Sequence, residues 1–361
     1  MKGRRPMPPA APPDRTADRI DVHTHLLPRE LPRWADRFGY GGFVGLDHPT
    51  GCRARMVRDD GTVFREVDPN LWDPAERLRD MDETRVAVQV LSTVPVMFCY
   101  WTPPRDGLQV ARYLNDHLAD VVRRHPKRFV GLGTLPLQDP DLAIAELDRC
   151  MGDLGLCGVQ IGSHVRGPGA DRNLDDPALF AVFARAAQLG AAVFVHPWDM
   201  MGEADMRKYW LPWLVGMPAE CSRALCSLMF GGVFTRLPKL RVCVAHGGGS
   251  FAATLGRIQH GFEARPDLCA IDNAVAPRDH VGRFWVDALV HDPRALRLII
   301  DTFGVDRVTV GSDYPFPLGE AQPGGLVASL ALDANAHGKI QMDNALHWLG
   351  IDRHLRRKEA L

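Results

Sequence analysis

Asp21-Val22-His23-Thr24-His25 closes a short apolar run that begins at Arg19. Residues two apart on an extended strand share a face, so His23 and His25 point the same way. Two imidazoles side by side can bind a divalent transition metal. The theme returns further along the chain. Val193-Phe194-Val195-His196, Val242-Cys243-Val244-Ala245-His246 and Val308-Thr309-Val310-Gly311-Ser312-Asp313 are strand-like and end in His or Asp. Such an order is what a metal site at one end of a parallel barrel looks like in sequence.

Working outward, apolar, β-branched runs recur at 19–25, 86–92, 128–133, 158–162, 192–196, 241–246, 284–287 and 308–313. Between them, 106–125, 140–152, 177–190 and 293–304 carry apolar residues at helical spacing, with Pro near the start or Gly near the end. Strands alternating with helices make a parallel sheet, and eight strands close a (β/α)8 TIM barrel. An open doubly wound sheet is the alternative, but no G-x-G-x-x-G follows the first strand. Residues 39–73 are long for a strand-to-helix connection. They hold Gly39, Gly41, Gly42, Gly45 and Gly51, and the turn Asp59-Asp60-Gly61 between two segments able to pair as a hairpin. The expectation is a small inserted lobe after the first strand, over the barrel mouth, within one barrel domain spanning 19–361.

Composition narrows the class. The chain has 361 residues, 46% apolar, with a net charge of −1. No basic tract points to nucleic acid, and no apolar run reaches the roughly 18 residues of a membrane span. The first 18 residues hold five prolines and two aspartates and no apolar signal core, and read as a disordered N-terminal extension. The eight cysteines are scattered, with no C-x-x-C spacing. They read as reduced, mostly buried thiols, with the cytoplasm as the expected compartment.

In such barrels, reactive groups sit at the C-terminal ends of strands. His23, His25, His196, His246 and Asp313 all fall there. Taken singly, each has a plain explanation: a strand-end histidine is commonly structural, and an Asp after a strand commonly caps a helix. Five groups converging from strands one, five, six and eight point to a metal site. Histidines with one carboxylate form a borderline donor set suited to zinc. His246 runs into Gly247-Gly248-Gly249, a sequence that lets the backbone approach a ligand closely or simply turn from strand to helix. Arg65 in the lobe and Arg257 in the helix after that turn could hold a carboxylate, although each alone reads as a surface residue. Trp198, Tyr209, Trp210 and Trp213, with the run Tyr314-Pro315-Phe316-Pro317, supply candidate apolar pocket wall.

These residues carry a resemblance. The chain resembles the zinc-dependent decarboxylases of the amidohydrolase superfamily, and among them the family acting on 2-amino-3-carboxymuconate-6-semialdehyde. His-x-His and Gly311-Ser312-Asp313 mark only the superfamily. Lys208-Tyr209-Trp210-Leu211-Pro212-Trp213 and Tyr314-Pro315-Phe316-Pro317-Leu318-Gly319-Glu320 are specific to the decarboxylase family, and the likeness runs from about Ile20 to about Gly350.

The resemblance implies one zinc per chain held by His23, His25, His196 and Asp313, with His246 and Asp313 in the catalytic set and His246 as the base for a zinc-bound water. Two-metal relatives carry a bridging lysine at the end of the fourth strand. Here that strand reads Gly158-Val159-Gln160-Ile161-Gly162, which favours one metal. Arg65 and Arg257 are implied as carboxylate binders, and Trp213 and Phe316 as pocket wall. Arg257 is implied to act across a homodimer interface. The implied reaction is non-oxidative loss of carbon dioxide from a small dicarboxylate, yielding 2-aminomuconate semialdehyde, in tryptophan catabolism by the kynurenine route or in nitroaromatic breakdown. No pyridoxal or thiamine signature offers another electron sink. The alternatives are a zinc hydrolase, or a hydroxybenzoate-type decarboxylase of the same superfamily.

Overall fold

Along Ala192–His196, side chains alternate between two environments. Val193 and Val195 join an apolar layer with Leu225 and Leu228, whereas Phe194 stands 5.0 Å from the ring of His23. That period of two is what a strand between barrel interior and helical jacket requires. The computed structural model describes residues 19–50, 53–167, 169 and 171–351.

The barrel strands are β1 (Arg19–His25), β2 (Val86–Ser92), β3 (Phe129–Thr134), β4 (Gly158–Gly162), β5 (Ala192–His196), β6 (Arg241–Val244), β7 (Trp285–Asp287) and β8 (Val308–Thr309). They form one eight-stranded sheet in sequence order, and every pair is parallel. The first and last strands close the ring. The Val22 N–H donates to Val310 O at 3.0 Å, and the His25 N–H donates to Tyr314 O at 2.8 Å. This closure makes a (β/α)8 barrel and excludes the open sheet.

Helices α1 (Pro74–Thr84), α2 (Pro104–Arg124), α3 (Pro140–Met151), α4 (Pro177–Leu189), α5 (Met217–Phe230), α6 (Phe251–Ala264) and α7 (Pro293–Phe303) follow strands one to seven, α1 beyond the lobe. Several start alike. Asp73, Asp139, Asp176 and Asp292 each accept a backbone N–H from the first turn, ahead of a proline at the first helical position. That pairing satisfies an orphan donor and presets the helical φ. The short helix α8 (Asn344–Leu349) adds the buried Trp348, whose ring lies 5.9 Å from Phe194.

The inserted segment folds as an antiparallel sheet of Val44–Thr50, Arg53–Arg58 and Val63–Val67. The hairpin is as expected, and Val44–Thr50 adds a third strand. The expected extension at residues 1–18 lies outside the described residues.

Candidate metal centre and active site

Two of the strand-end groups depart from the ladder. Beyond β6, His246 has φ of 56°, and beyond β8, Asp313 has φ of 57°. Both are left-handed, a costly backbone for a non-glycine residue and a frequent mark of functional sites. The strands stop at Val244 and Thr309, short of the expected limits at 246 and 313. Three glycines with positive φ follow His246. A Cβ on Gly249 would come within 2.1 Å of Pro218 O, so only glycine fits that approach.

The rings of His23, His25 and His196 lie 5.0–5.2 Å apart, centroid to centroid, and His246 stands 5.1 Å from both His23 and His196. His23, His25 and His196 are buried, and each has its Nδ1 committed. His23 Nδ1 is 2.7 Å from Asp287 Oδ2, His25 Nδ1 is 2.9 Å from Thr93 O, and His196 Nδ1 is 2.9 Å from Pro197 O. All three partners are acceptors, which assigns a proton to Nδ1 and leaves Nε2 as the atom that can give a lone pair to a metal. None of the three Nε2 atoms has a hydrogen-bond partner among the described residues. Asp313 Oδ1 lies 3.0 Å from Nε2 of His25 and 3.4 Å from Nε2 of His23. Buried nitrogens with free lone pairs around a carboxylate are costly without a cation and suited to one. The residues present therefore fit a divalent metal.

Electrostatics follow the same arrangement. Burial opposes charge on His23, but its contacts with Asp287 and Asp313 raise its pKa to about 10, so without a metal the ring draws a second proton onto Nε2, the position a bound cation would take. Burial would raise Asp313, but its contacts with His23 and His25 outweigh this and hold it well below the usual carboxylate range. Burial, and then the charge on His23, lower His246 to about 4, so its imidazole is neutral at pH 7 and can accept a proton.

His23, His196, His246 and Asp313 each bring one ligand atom within 4.8 Å of the others. The expected ligand set has His25 in place of His246. The hydrogen bonds separate the two histidines. His25 has an acceptor fixing its Nδ1, as His23 and His196 do, whereas His246 Nδ1 is buried without a partner. Ligand histidines almost always have that outer partner.

Above this floor, His25, His196 and Asp313 open into a pocket walled by Phe64, Trp198, Trp213 and Phe316. Arg65 is the one arginine among its described lining residues, and its guanidinium lies over the Phe316 ring. The pocket therefore gathers Arg65, Trp213 and Phe316 from the expected set. Arg257, by contrast, is exposed on α6 and does not line it.

The amidohydrolase family profile matches residues 20–351. The chain belongs to the amidohydrolase family. Among amidohydrolases, it is 55% identical to the 2-amino-3-carboxymuconate-6-semialdehyde decarboxylase of Dictyostelium discoideum, over 92% of this chain and 92% of that protein. The protein of the same name from Caenorhabditis elegans is 39% identical, over 93% of this chain and 95% of that one. These identities place the chain in the 2-amino-3-carboxymuconate-6-semialdehyde decarboxylase family. Among solved structures, the 5-carboxyvanillate decarboxylase of Novosphingobium aromaticivorans, complexed with manganese, has the same fold. It matches with a TM-score of 0.77 at 22% identity, over 93% of this chain and 97% of that one.

Three buried residues behind this amidohydrolase's floor escaped the sequence reading. Asp287 ends β7 and holds His23. Gln160 occupies β4, the strand without the lysine. Its amide donates to Thr93 O at 2.9 Å, the same carbonyl that fixes His25. The Arg77 guanidinium donates to His25 O and to Gln89 Oε1, and lies 4.7 Å from the centroid of the Tyr314 ring. Asp287 alone left a trace in sequence, as one more acid at a strand end.

Proposed function

We propose that this chain is a zinc-dependent enzyme that removes carbon dioxide from 2-amino-3-carboxymuconate-6-semialdehyde, yielding 2-aminomuconate semialdehyde. Family membership makes it a carboxy-lyase and favours this reading over a hydrolase or a hydroxybenzoate decarboxylase. The observation that carries it is the convergence of three histidine Nε2 lone pairs with Asp313 on the floor of an aromatic pocket containing one arginine.

His23, His25, His196 and Asp313 would hold one zinc. When bound, the metal supplies Lewis acidity and brings the pKa of water near ~7. His246, neutral and facing the same centre, is placed to take a proton and return it. Arg65 offers a guanidinium to a substrate carboxylate, where burial strengthens the attraction. Phe64, Trp213 and Phe316 give flat apolar faces to a conjugated chain and exclude water around the breaking bond.

The substrate carries two carboxylates, and the pocket supplies one arginine. We assign the second cation to Arg257 of a second copy, in a homodimer. Tyr209, Leu214 and Val215, beside Trp213, are 81%, 50% and 54% exposed, an apolar surface of the kind that subunit contacts cover. Among the described residues, Cys99, Cys150, Cys221, Cys226, Cys243 and Cys269 are in no disulfide, and no described helix is long and apolar enough to cross a membrane. Free thiols suit a reducing compartment, and we place the enzyme in the cytoplasm, on the kynurenine route of tryptophan catabolism. The remaining proposal is of organisation: one barrel domain from residue 19, with 39–73 as its substrate-facing lobe.

The test is direct. Zinc-loaded protein is added to freshly generated semialdehyde while near-ultraviolet absorbance and carbon dioxide are followed together. One carbon dioxide per semialdehyde consumed is expected. Absorbance loss no faster than without protein, or without carbon dioxide, would overturn the proposal.

A further inference from the structure

Asp287 ends β7 with no solvent exposure, and its two oxygens face two different parts of the site. Oδ2 is 2.7 Å from His23 Nδ1 on β1. Oδ1 accepts the Gly247 N–H at 2.8 Å, in the turn that begins at His246, and the Leu289 N–H at 3.2 Å. The surroundings leave this arrangement little freedom. A Cβ on Gly311 would sit 2.7 Å from Asp287 Cβ and 2.9 Å from His23 Cβ, so the pair fills the space that a side chain at 311 would need. Gly247 has φ of 63°, and a Cβ there would meet Ile299 Cδ1 at 2.4 Å, so the turn that aims its N–H at Asp287 is also specific to glycine.

We infer that Asp287 is a positioning residue that sets both arms of the site at once, fixing the metal-facing tautomer of His23 and the place of the His246 turn. The inference rests on the metal reading above. Its chemistry follows from donor and acceptor counting. An ionised carboxylate only accepts, so both oxygens demand N–H donors. His23 must therefore carry its proton on Nδ1, which leaves the Nε2 lone pair toward the centre.

Asparagine has nearly the same shape but one donor end and one acceptor end. With its oxygen toward Gly247, its NH2 meets His23 Nδ1 and drives the ring proton to Nε2, where it competes with the metal. With the amide reversed, two N–H groups face each other at Gly247 and the His246 turn is released. Either orientation damages one arm without removing volume.

The experiment compares wild type with Asp287→Asn in three measurements: zinc affinity by competition with a chromophoric chelator, kcat and KM at saturating zinc, and melting of the metal-free protein. Asp287→Asn is expected to bind zinc about 10–100-fold more weakly. Even when loaded, it should turn over about 10-fold or more slowly, with KM nearly unchanged, because the base is displaced. Affinity and kcat both within twofold of wild type would overturn the inference while leaving the metal site intact. Weakened zinc with an unchanged loaded kcat would overturn the claim on the His246 arm. A wild-type protein that binds no zinc would instead overturn the metal reading itself. Should Asp287→Asn fail to fold, neutron diffraction of zinc-loaded wild type reads the tautomer directly. A hydrogen on His23 Nδ1 is expected, and an unprotonated Nδ1 would overturn the inference.

Discussion

The guanidinium of Arg65 lies 4.5 Å from the centroid of the Phe316 ring, so a residue of the inserted lobe caps an aromatic residue of the loop after β8. The contact joins two segments 251 positions apart in numbering (316 − 65) and brings a cation to the pocket beside Asp313. Burial lowers the pKa of Arg65, and the nearby Asp313 charge partly opposes this.

Arg65→Ala is expected to raise KM by about 10-fold to 100-fold, from the loss of a charge-assisted contact worth about 1.5–3 kcal/mol. Bound zinc should stay at the wild-type level. Arg65→Lys should recover only part of the loss, since an ammonium lacks the planar fork. Steady-state kinetics alongside elemental analysis checks this, and a metal-depleted Arg65→Ala would show that the residue serves the floor instead.

The two classes of histidine should separate by metal content. His196→Ala and Asp313→Ala each remove a proposed ligand and should lose most of the zinc together with activity. His246→Ala should keep its zinc and lose turnover by roughly 100-fold or more. If His246→Ala also loses zinc in proportion, the close set of His23, His196, His246 and Asp313 is the ligand set, and His25 takes an outer role.

Arg257 gives a test of the shared site. A mixture of His246→Ala and Arg257→Ala proteins, each inactive alone, should regain partial activity in heterodimers. One hybrid site then carries both lesions and the other carries neither. Subunit exchange is verified by co-purification of differently tagged chains. Verified heterodimers without recovery would place Arg257 outside the neighbour's site.

Glu220 anchors the segment leading from His196 to Trp213. It accepts the Met201 N–H at 2.9 Å and the Ser163 hydroxyl at 2.8 Å, and pairs with His164 and Arg223. Burial would raise its pKa, but these partners outweigh burial and hold it below the ordinary 4.5. A carboxyl depressed on folding stabilises above its unfolded pKa, and that stability is lost as pH falls through the folded value. Glu220→Gln should therefore cost about 1–3 kcal/mol at pH 7, with the difference from wild type shrinking below about pH 4.5. Denaturant unfolding at several pH values checks both the size and the sign.

Much of this was legible in the chain. Apolar runs between Gly and Pro punctuation located the eight strands, because a strand buried on both faces leaves a short β-branched run. Their C-terminal limits were less legible. Val308–Thr309 ends four residues before Asp313, whose own φ of 57° lies off the ladder, and side-chain identity does not reveal that. The lobe strand Val44–Thr50 was hidden by the glycines before it and by Pro49 within it. Gln160 and Arg77 gave no sign as site residues, and Asp287 only that of an acid at a strand end, for a different reason. Each acts on a ligand-bearing segment through a partner 52 to 264 positions away, and a lone polar residue on a strand or helix has no periodicity to betray it.

The central claim is that one metal per chain makes this site active. Metal-free protein is titrated with zinc while carbon dioxide release from the semialdehyde is recorded against bound metal. Activity is expected to start near zero and rise linearly to a break at one zinc per chain. Full activity in metal-free protein, or a break at two zinc ions per chain, would contradict it.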